Sequence, residues 1–257
     1  MEKVDWADYA TTYDLMARNN PAYQELVRHC VATVCGWQLQ PGDVVADIGG
    51  GTGNFSIAVA LALPSVMVLH VDCDEAMLRS ARAKADQAGL GNWNVVDMDV
   101  EQDAWGLPTL AGIVTVHALY AFKNPQRVIK KMCAHLRPGG LVYACDLGRV
   151  MNVVDWGVYL VAASIRSNGL WETARLFVRY AEVRRQNQRI CACQRAGVYW
   201  THRLAEFTDC FRAQGLTPLT ATSSFYRGYD DLVIGLKPMV TETVRPLAAG
   251  ARFVQGA

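Results

Sequence analysis

The chain has 257 residues, of which 51% are hydrophobic and 19% charged, and its net charge is +1. A chain of this length and apolar content can bury a substantial core, which suits one α/β domain with a cap. The longest apolar run, residues 57–69, is interrupted by Pro64 and Ser65, and this excludes a membrane span. The Met-Glu-Lys-Val-Asp start lacks the pattern of a signal peptide, so the sequence predicts a cytoplasmic protein.

The cysteine spacing and the charge distribution indicate which metals and charged partners the chain could bind. The eight cysteines show neither a zinc spacing nor a disulfide framework, so we expect no bound metal. Residues 1–148 carry 11 basic and 16 acidic side chains, a net charge of −5, whereas residues 149–257 carry a net charge of +6. The basic excess lies between residues 166 and 189, which is typical of a solvated helical face or of a surface for an anionic partner.

In chain order, residues 1–40 read as a helical N-terminal cap, and residues 41–148 as a core of alternating strands and helices. This alternation predicts an α/β fold with a doubly wound, mostly parallel sheet. The predicted strands of the core span 44–48, 66–71, 94–98, 112–116 and 141–146, and its helices span 55–63, 76–88 and 126–136.

Two further regions follow the core. Residues 149–200 read as a helical insertion rich in Trp, Tyr and Arg, which we expect to lie over a substrate pocket. Residues 201–257 supply a helix over 202–214, closing strands over 216–222 and 231–237, and a tail. The sequence thus predicts a seven-stranded sheet within one domain over residues 1–257.

The stretch VVADIGGGTGNFS, residues 44–56, carries the strongest signal for a ligand site. It places Asp47 and then the spaced glycines Gly49, Gly51 and Gly53 at the end of the first strand, just before a helix. Glycines there allow positive φ angles and close approach of the backbone to a ligand. The stretch has no lysine, which excludes a P-loop, and neither glycine frame completes the G-x-G-x-x-G dinucleotide pattern.

Four ordered motifs together resemble the class I S-adenosylmethionine-dependent methyltransferases. They are VADIGGGTGNF at 45–55, VDCDEAML at 71–78, DVEQD at 99–103 and HLRPGGLVY at 135–143. The resemblance implies a Rossmann-like methyltransferase fold with a helical cap, and S-adenosyl-L-methionine as the cofactor. It covers residues 40–147 well and residues 149–200 hardly at all.

The resemblance also implies a set of cofactor contacts. Asp72 would accept hydrogen bonds from the ribose hydroxyls, Asp99 and the Val100 N–H would meet the adenine, and Cys73 would lie against its face. The three spaced glycines would approach the methionine portion, and Asp47 would orient the loop or the ammonium group. Tyr9 and Tyr13 belong to an N-terminal stretch that folds over the cofactor in the family, and His117 completes the expected cofactor contacts.

The reacting side of the pocket is expected after the fourth strand and in the insertion. His117 is a candidate general base or a hydrogen-bonded wall residue, and Tyr120 and Tyr13 are further catalytic candidates. The segment after this strand lacks the Asp/Asn-Pro-Pro-aromatic signature of enzymes that methylate amino groups of nucleic acids. The expected substrate contacts are Tyr120, Asn152, Trp156, Tyr159 and Trp171.

The favoured function is methyl transfer to a small molecule, in secondary metabolism, with S-adenosylhomocysteine as the product. A second hypothesis is cyclisation of the cofactor to azetidine-2-carboxylate with release of methylthioadenosine. An RNA methyltransferase and a cofactor-binding protein without activity are further alternatives. We expect a small-molecule partner and no membrane; the lack of an added RNA-binding domain disfavours nucleic acid. The sequence leaves a monomer and a homodimer both open.

Overall fold

A computed structural model describes residues 4–102 and 104–239. Residue 103 and the tail from 240 to 257, which belong to the DVEQD motif and to the predicted closing region, lie outside the described residues. The helices are α1 Trp6–Asn19, α2 Pro21–Cys35, α3 Asn54–Ala62, α4 Glu75–Gln87, α5 Pro125–His135, α6 Val153–Arg179, α7 Ala181–Arg195 and α8 Leu204–Arg212. The strands are β1 Val44–Ile48, β2 Met67–Asp72, β3 Trp93–Asp97, β4 Leu110–Val116, β5 Leu136–Leu147, β6 Thr217–Thr222 and β7 Asp230–Leu236.

The strands form one seven-stranded sheet in the order β3-β2-β1-β4-β5-β7-β6. The first five strands pair in parallel, and β7 lies antiparallel between β5 and β6. The predicted doubly wound, mostly parallel sheet is therefore confirmed. The strand order reverses between β1 and β4, and the crevice at the carboxyl ends of such strands is where ligands bind in this class of sheet.

The central strands of the sheet are buried on both faces because they are apolar on both sides, whereas the edge strand β6 is largely exposed. Along β1, Val45 packs against the face covered by α2 and α3, whereas Ala46 and Ile48 pack against the face covered by α5 and α8. All seven residues of β4 are buried, as a central strand with helices on both sides requires. The apolar clusters lie on the two faces of the sheet, and the carboxyl ends of the strands lie beside them and can contribute to a site.

β5 is longer than the sequence pattern predicts. It begins at Leu136 instead of residue 141, and so includes residues 137–140, which lie between the predicted helix and the predicted strand. Leu136 pairs with Leu110 of β4, and the Gly139 N–H donates to the Lys237 carbonyl at 2.8 Å. Neighbouring segments thus supply hydrogen-bond partners for the backbone of this stretch. These partners are distant in sequence, so the local pattern does not reveal them.

The predicted insertion over 149–200 folds mainly as the two long helices α6 and α7. Asn152 caps α6, since its Oδ1 accepts the backbone N–H groups of Val154 and Asp155 at 3.1 and 3.2 Å. α6 bends at Gly169, whose φ is 77°. Within the described residues, no helix combines the length and the apolar character needed to traverse a bilayer.

Candidate functional site

A cleft of about 270 Å³ lies at the carboxyl ends of β1, β2 and β4, beneath α1. The structure brings most of the predicted site residues together there. Those that border it are Tyr9, Tyr13, Asp47, Gly49, Gly51, Asp72, Cys73, Asp99, Val100, His117 and Tyr120. Gly53 instead is the N-cap residue before α3 and lies against Ala81 of α4. What each of these residues binds stays a prediction.

The glycine loop, residues 49–53, turns the chain sharply from β1 into α3. Gly49, Gly51 and Gly53 all have positive φ, between 57° and 83°. Gly49 also lies so close to the residue after His117 that an added Cβ would fall 2.6 Å from the Ala118 Cβ. Both its backbone conformation and its surroundings therefore require glycine.

We expect Gly49→Ala to destabilise the protein more than Gly42→Ala does. Gly42 also has positive φ, 86°, but an added Cβ there meets no atom within 4 Å. Gly42→Ala should therefore cost only the left-handed backbone strain, about 1–2 kcal/mol, whereas Gly49→Ala adds the clash with Ala118. Urea unfolding of both variants measures the difference, and equal losses would show that the contact with Ala118 is relieved without cost.

His70 supports the glycine loop from below and is a residue that the sequence analysis missed. Its Nδ1 lies 3.0 Å from the Ser56 Oγ, and its Nε2 lies 3.1 Å from the Gly51 carbonyl oxygen. Its ring stacks on Trp93 at 5.3 Å between centroids. Burial lowers the pKa of His70 to about 4, so the ring is neutral near pH 7. A histidine within an apolar strand gives no local signal of this role.

Asp47, at the end of β1, holds the start of α3 in place. Its Oδ2 accepts the Ser56 backbone N–H at 3.1 Å. The side chain is buried, and burial raises the pKa of this carboxyl to about 7. Asp47 therefore contacts the helix that follows the glycine loop, and its expected role toward the loop or an ammonium group stays a prediction.

Asp72 fixes the turn after β2 and faces the cleft. Its Oδ2 accepts the Gly51 N–H at 2.8 Å, and its Oδ1 accepts the N–H groups of Cys73 and Asp74 at 2.8 and 3.0 Å. Burial raises its pKa, an effect that these backbone donors oppose. A carboxylate has about four acceptor positions and three are taken by these N–H groups, so about one is left for a hydroxyl group of a ligand.

The far end of the cleft is bordered by the segment after β3. Met98, Val100 and Phe122 supply apolar surface there, and the exposed Asp99 accepts the Glu101 N–H at 2.9 Å. Burial raises the pKa of Cys73 to about 11, so its side chain is a neutral thiol at pH 7. Apolar walls beside a carboxylate and a backbone edge suit a flat heterocycle that has an amino group.

Within the described part of the chain, the Asp and Glu side chains that border the cleft are not balanced by Lys or Arg. Among the described residues that border the cleft, Asp47, Asp72, Asp74, Asp99 and Glu101 are acidic and none is Lys or Arg. Sites for phosphate groups use basic side chains, so this lining fits a nucleotide diphosphate poorly. It fits a ligand with cationic groups and hydroxyls.

His117 lies at the end of β4 and is held by a buried carboxylate. Its Nε2 lies 2.7 Å from the Asp230 Oδ2, and its φ of 52° is left-handed, which is uncommon for a non-glycine residue. Burial lowers the pKa of His117, but the charges of Asp230 and Asp146 and the hydrogen bond to Asp230 outweigh it and raise the pKa above the ordinary value. Such strained, titratable groups cluster at functional sites.

Tyrosines cover the cleft. The Tyr9 hydroxyl donates to the Asn187 Oδ1 at 3.0 Å, and the ring of Tyr9 meets that of Tyr13 edge-on at 5.1 Å. Tyr120 is buried against Tyr199. Burial raises the pKa of Tyr13 to about 12 and also raises those of Tyr9 and Tyr120. All three are neutral phenols near pH 7, so Tyr13 and Tyr120 act there as donors or walls and not as ready bases.

α1 is fastened over the cleft by polar contacts at its middle. Asp14 accepts from the Thr52 hydroxyl at 2.7 Å and from the Lys84 ammonium at 2.8 Å. The Tyr180 hydroxyl donates to the Leu15 carbonyl at 3.2 Å. α1 therefore links the glycine loop, α4 and the α6–α7 region above the sheet.

Four of the expected substrate contacts lie away from the cleft lining. Asn152 caps α6, Trp156 packs on Tyr226 at 4.5 Å, Tyr159 meets Trp156 edge-on, and Trp171 is 88% exposed. Instead, Trp156 and Tyr159 border or pack beside the space between α6 and α7. The region after β5 contributes other residues to the lining, namely Met151, Asn187 and Ile190, and Tyr226 joins them from the segment before β7.

Comparison with known proteins identifies the domain. Residues 45–140 match the family model described as a methyltransferase domain. The chain is 31% identical over 144 residues to a ribosomal RNA small subunit methyltransferase G of Stenotrophomonas maltophilia, covering 52% of this chain and 60% of that protein. It is 28% identical over 138 residues to a carboxy-S-adenosyl-L-methionine synthase of Dichelobacter nodosus, covering 52% and 56%. The chain spans 34% to 60% of the length of the curated relatives it matches.

Solved structures show the same fold. One is a chain of the Haloferax volcanii complex between the Trm112 methyltransferase activator and a methyltransferase, with a TM-score of 0.60 at 15% identity, covering 93% of this chain and all of that one. Three observations indicate the same kind of domain. They are the strand order, the glycine loop before α3 and the family match over residues 45–140. Residues 45–140 therefore match a methyltransferase domain, and the strand order supports the class I S-adenosylmethionine-dependent methyltransferase family, whose cofactor is S-adenosyl-L-methionine.

Proposed function

We propose that this protein transfers the methyl group of S-adenosyl-L-methionine to a small-molecule acceptor. The observation that carries the proposal is the composition of the cleft. It combines an acidic lining without Lys or Arg among the described residues, a cover of neutral tyrosines, and a histidine–aspartate pair at the end of β4.

The residues present fit the cofactor. Asp72 keeps about one acceptor position for a ribose hydroxyl, and the apolar surface of Met98 and Val100 beside Asp99 suits the adenine. The backbone of Gly49 and Gly51 leaves room for the methionine portion. When bound, this cofactor supplies a methyl group on a positively charged sulfur.

His117 is the residue that would take a proton from the acceptor. With the Asp230 carboxylate on Nε2, that nitrogen carries the proton, and Nδ1 is left as the basic atom. Asp230 is fully buried, so it holds the ring in one orientation. A general base in such an arrangement contributes about 10²–10⁴-fold to the rate.

The tyrosines would exclude water and stabilise positive charge. Tyr9, Tyr13 and Tyr120 present aromatic faces and edges around the cleft, and their phenols are neutral because burial raises their pKa values. Aromatic faces attract a cationic group within about 6 Å. A dry chamber that aligns two reactants is what a displacement reaction requires.

A small molecule is favoured over RNA as the acceptor. The relatives include ribosomal RNA methyltransferases, but the cleft here lies beneath α1, and its described lining has no Lys or Arg for a phosphate backbone.

Product analysis tests this function. Pure protein would be incubated with S-adenosyl-L-methionine, alone and with a small-molecule cell extract from which proteins and nucleic acids have been removed. We expect S-adenosylhomocysteine to form only when the extract is present, and not with Asp72→Ala at the same cofactor concentration. Methylthioadenosine from the cofactor alone would establish cyclisation, and turnover only with added RNA would replace the small molecule by a nucleic acid.

A further inference from the structure

A second cavity, of about 540 Å³, lies between α6 and α7, and we name it the cap cavity. Its walls are largely apolar and include Trp156, Leu160, Leu176 and Val183, of which Trp156, Leu176 and Val183 are buried. Two polar side chains in its wall are already paired, since the Ser164 and Thr173 hydroxyls lie 2.9 Å apart. The cavity therefore offers an apolar ligand a large surface and few polar groups that need partners.

The cap cavity adjoins the cleft. Met151 and Asn187 border both spaces, so the partition between them is one layer of side chains. Asn187 is held in that layer by the Tyr9 hydroxyl, and the Met151 carbonyl accepts from the Cys191 thiol at 3.2 Å. Methionine is a flexible, unbranched side chain that can repack around a ligand.

The outer side of the cap cavity is apolar as well. Val154 and Val158 border it and are 76% and 67% exposed. An aliphatic rim that opens from solvent into an apolar chamber is a path for an apolar molecule, and it exposes surface that a ligand would cover.

We propose that the acceptor substrate carries an extended apolar part, an alkyl chain or a fused ring system, that occupies the cap cavity. Its nucleophilic atom would then reach past Met151 and Asn187 to His117 in the cleft. This inference rests on the proposed function, and it names the chemical class of the substrate. It also gives Trp156, which the sequence analysis placed on the substrate side, a position in that binding surface.

Gly157 allows the cap cavity to be filled without disturbing the protein. It borders the cavity within α6, and an added Cβ would meet no atom within 4 Å. Gly157→Phe should thus place a ring in the empty space, and replacing glycine inside a helix favours the helix. Gly157→Ala is the control for the backbone effect, and Ala174→Phe, on an exposed position of α6 outside the cavity lining, is the control for an added ring.

The probe is 1-anilinonaphthalene-8-sulfonate, titrated by fluorescence at saturating S-adenosylhomocysteine, with 1-dodecanol as a competitor. We expect the wild type to bind the probe and dodecanol to displace it. Gly157→Phe should raise the dissociation constant of the probe by about tenfold or more. In both controls that constant should stay within about threefold of the wild-type value. Affinity for S-adenosylhomocysteine, measured by calorimetry, should be the same in all four proteins.

Two results would overturn the inference. One is probe binding by Gly157→Phe equal to that of the wild type. The other is a wild-type dimer that sedimentation shows to dissociate in Gly157→Phe, because a second copy would then cover the cavity. Failure of the proposed function looks different, since the product analysis would then show methylthioadenosine from the cofactor alone or turnover only with added RNA, whatever the affinity for the probe.

Discussion

His117→Asn should lower kcat by about 10²–10⁴-fold while S-adenosylhomocysteine affinity stays within about tenfold. Asparagine tolerates the left-handed φ of 52° at this position better than most residues, so the backbone should persist while the base is lost. The matched control is His135→Asn, since His135 bonds the Lys131 carbonyl on α5 and does not border the cleft. Its turnover should equal that of the wild type.

The pH dependence of turnover distinguishes a base from a residue that only supports the structure. The pKa of His117 is raised by Asp230 and Asp146 against the opposing effect of burial. A base must be unprotonated, so activity should be low below this raised pKa and should increase as the pH rises through it. The rising limb should disappear in His117→Asn and move to lower pH in Asp230→Asn.

Asp146 is the competing titratable group, because burial raises its pKa to about 7. The rising limb should therefore persist in Asp146→Asn, with a modest shift to lower pH. If Asp146→Asn removes the limb, or if His117→Asn keeps both the limb and full turnover, His117 is not the base.

Asp72→Ala should weaken cofactor binding by about 1.5–3 kcal/mol, because hydrogen bonds to a charged acceptor are lost. Two effects add. The ribose hydroxyls lose their acceptor, and the N–H groups of Gly51, Cys73 and Asp74 lose the carboxylate that fixes the turn. Calorimetric titration with S-adenosylhomocysteine measures the change.

Asp97→Ala is the matched control for Asp72→Ala. Asp97 is the neighbour of Asp72 across the β2–β3 pair, but it is exposed and does not border the cleft. Its affinity should match that of the wild type. Equal affinity in Asp72→Ala and Asp97→Ala would remove Asp72 from the cofactor site.

The parts of the fold that local sequence determines could be predicted. Short apolar runs separated by helical patterns gave the strands, and the strand–glycine–helix stretch over 44–56 gave the position of the cleft. Asp72 and Asp99 were implied by the family resemblance, and each follows a predicted strand; because the carboxyl ends of parallel strands meet at one edge of the sheet, their place beside the cleft could be predicted.

The rest of the site depends on contacts between distant parts of the chain. Asp230 reaches His117 across 113 positions, and Tyr9 meets Asn187 across 178. Tyr226 enters the cleft from a segment between two closing strands, where its local sequence shows no reason for a ligand site. Only the pairing of β5 with β7 and the packing of α1 on α7 bring these residues together.

The substrate side was the least predictable for the same reason. In a helical insertion that is rich in aromatic residues, the spacing of apolar residues does not indicate which side chains face the cleft. Trp171 follows the bend at Gly169 and is exposed, whereas the less conspicuous Met151 and Asn187 border the cleft. The direction of α6, set by its packing on α7, decides between them.

A crystal structure of the protein with S-adenosylhomocysteine tests the central claim most directly. It should show the ribose hydroxyls within hydrogen-bond distance of the Asp72 carboxylate, the adenine beside Asp99 and Val100, and the homocysteine portion along Gly49 and Gly51. The sulfur should face the side of the cleft formed by His117 and Tyr120. Binding of the nucleoside at any other place, or a cleft that stays empty at saturating ligand, would contradict this assignment.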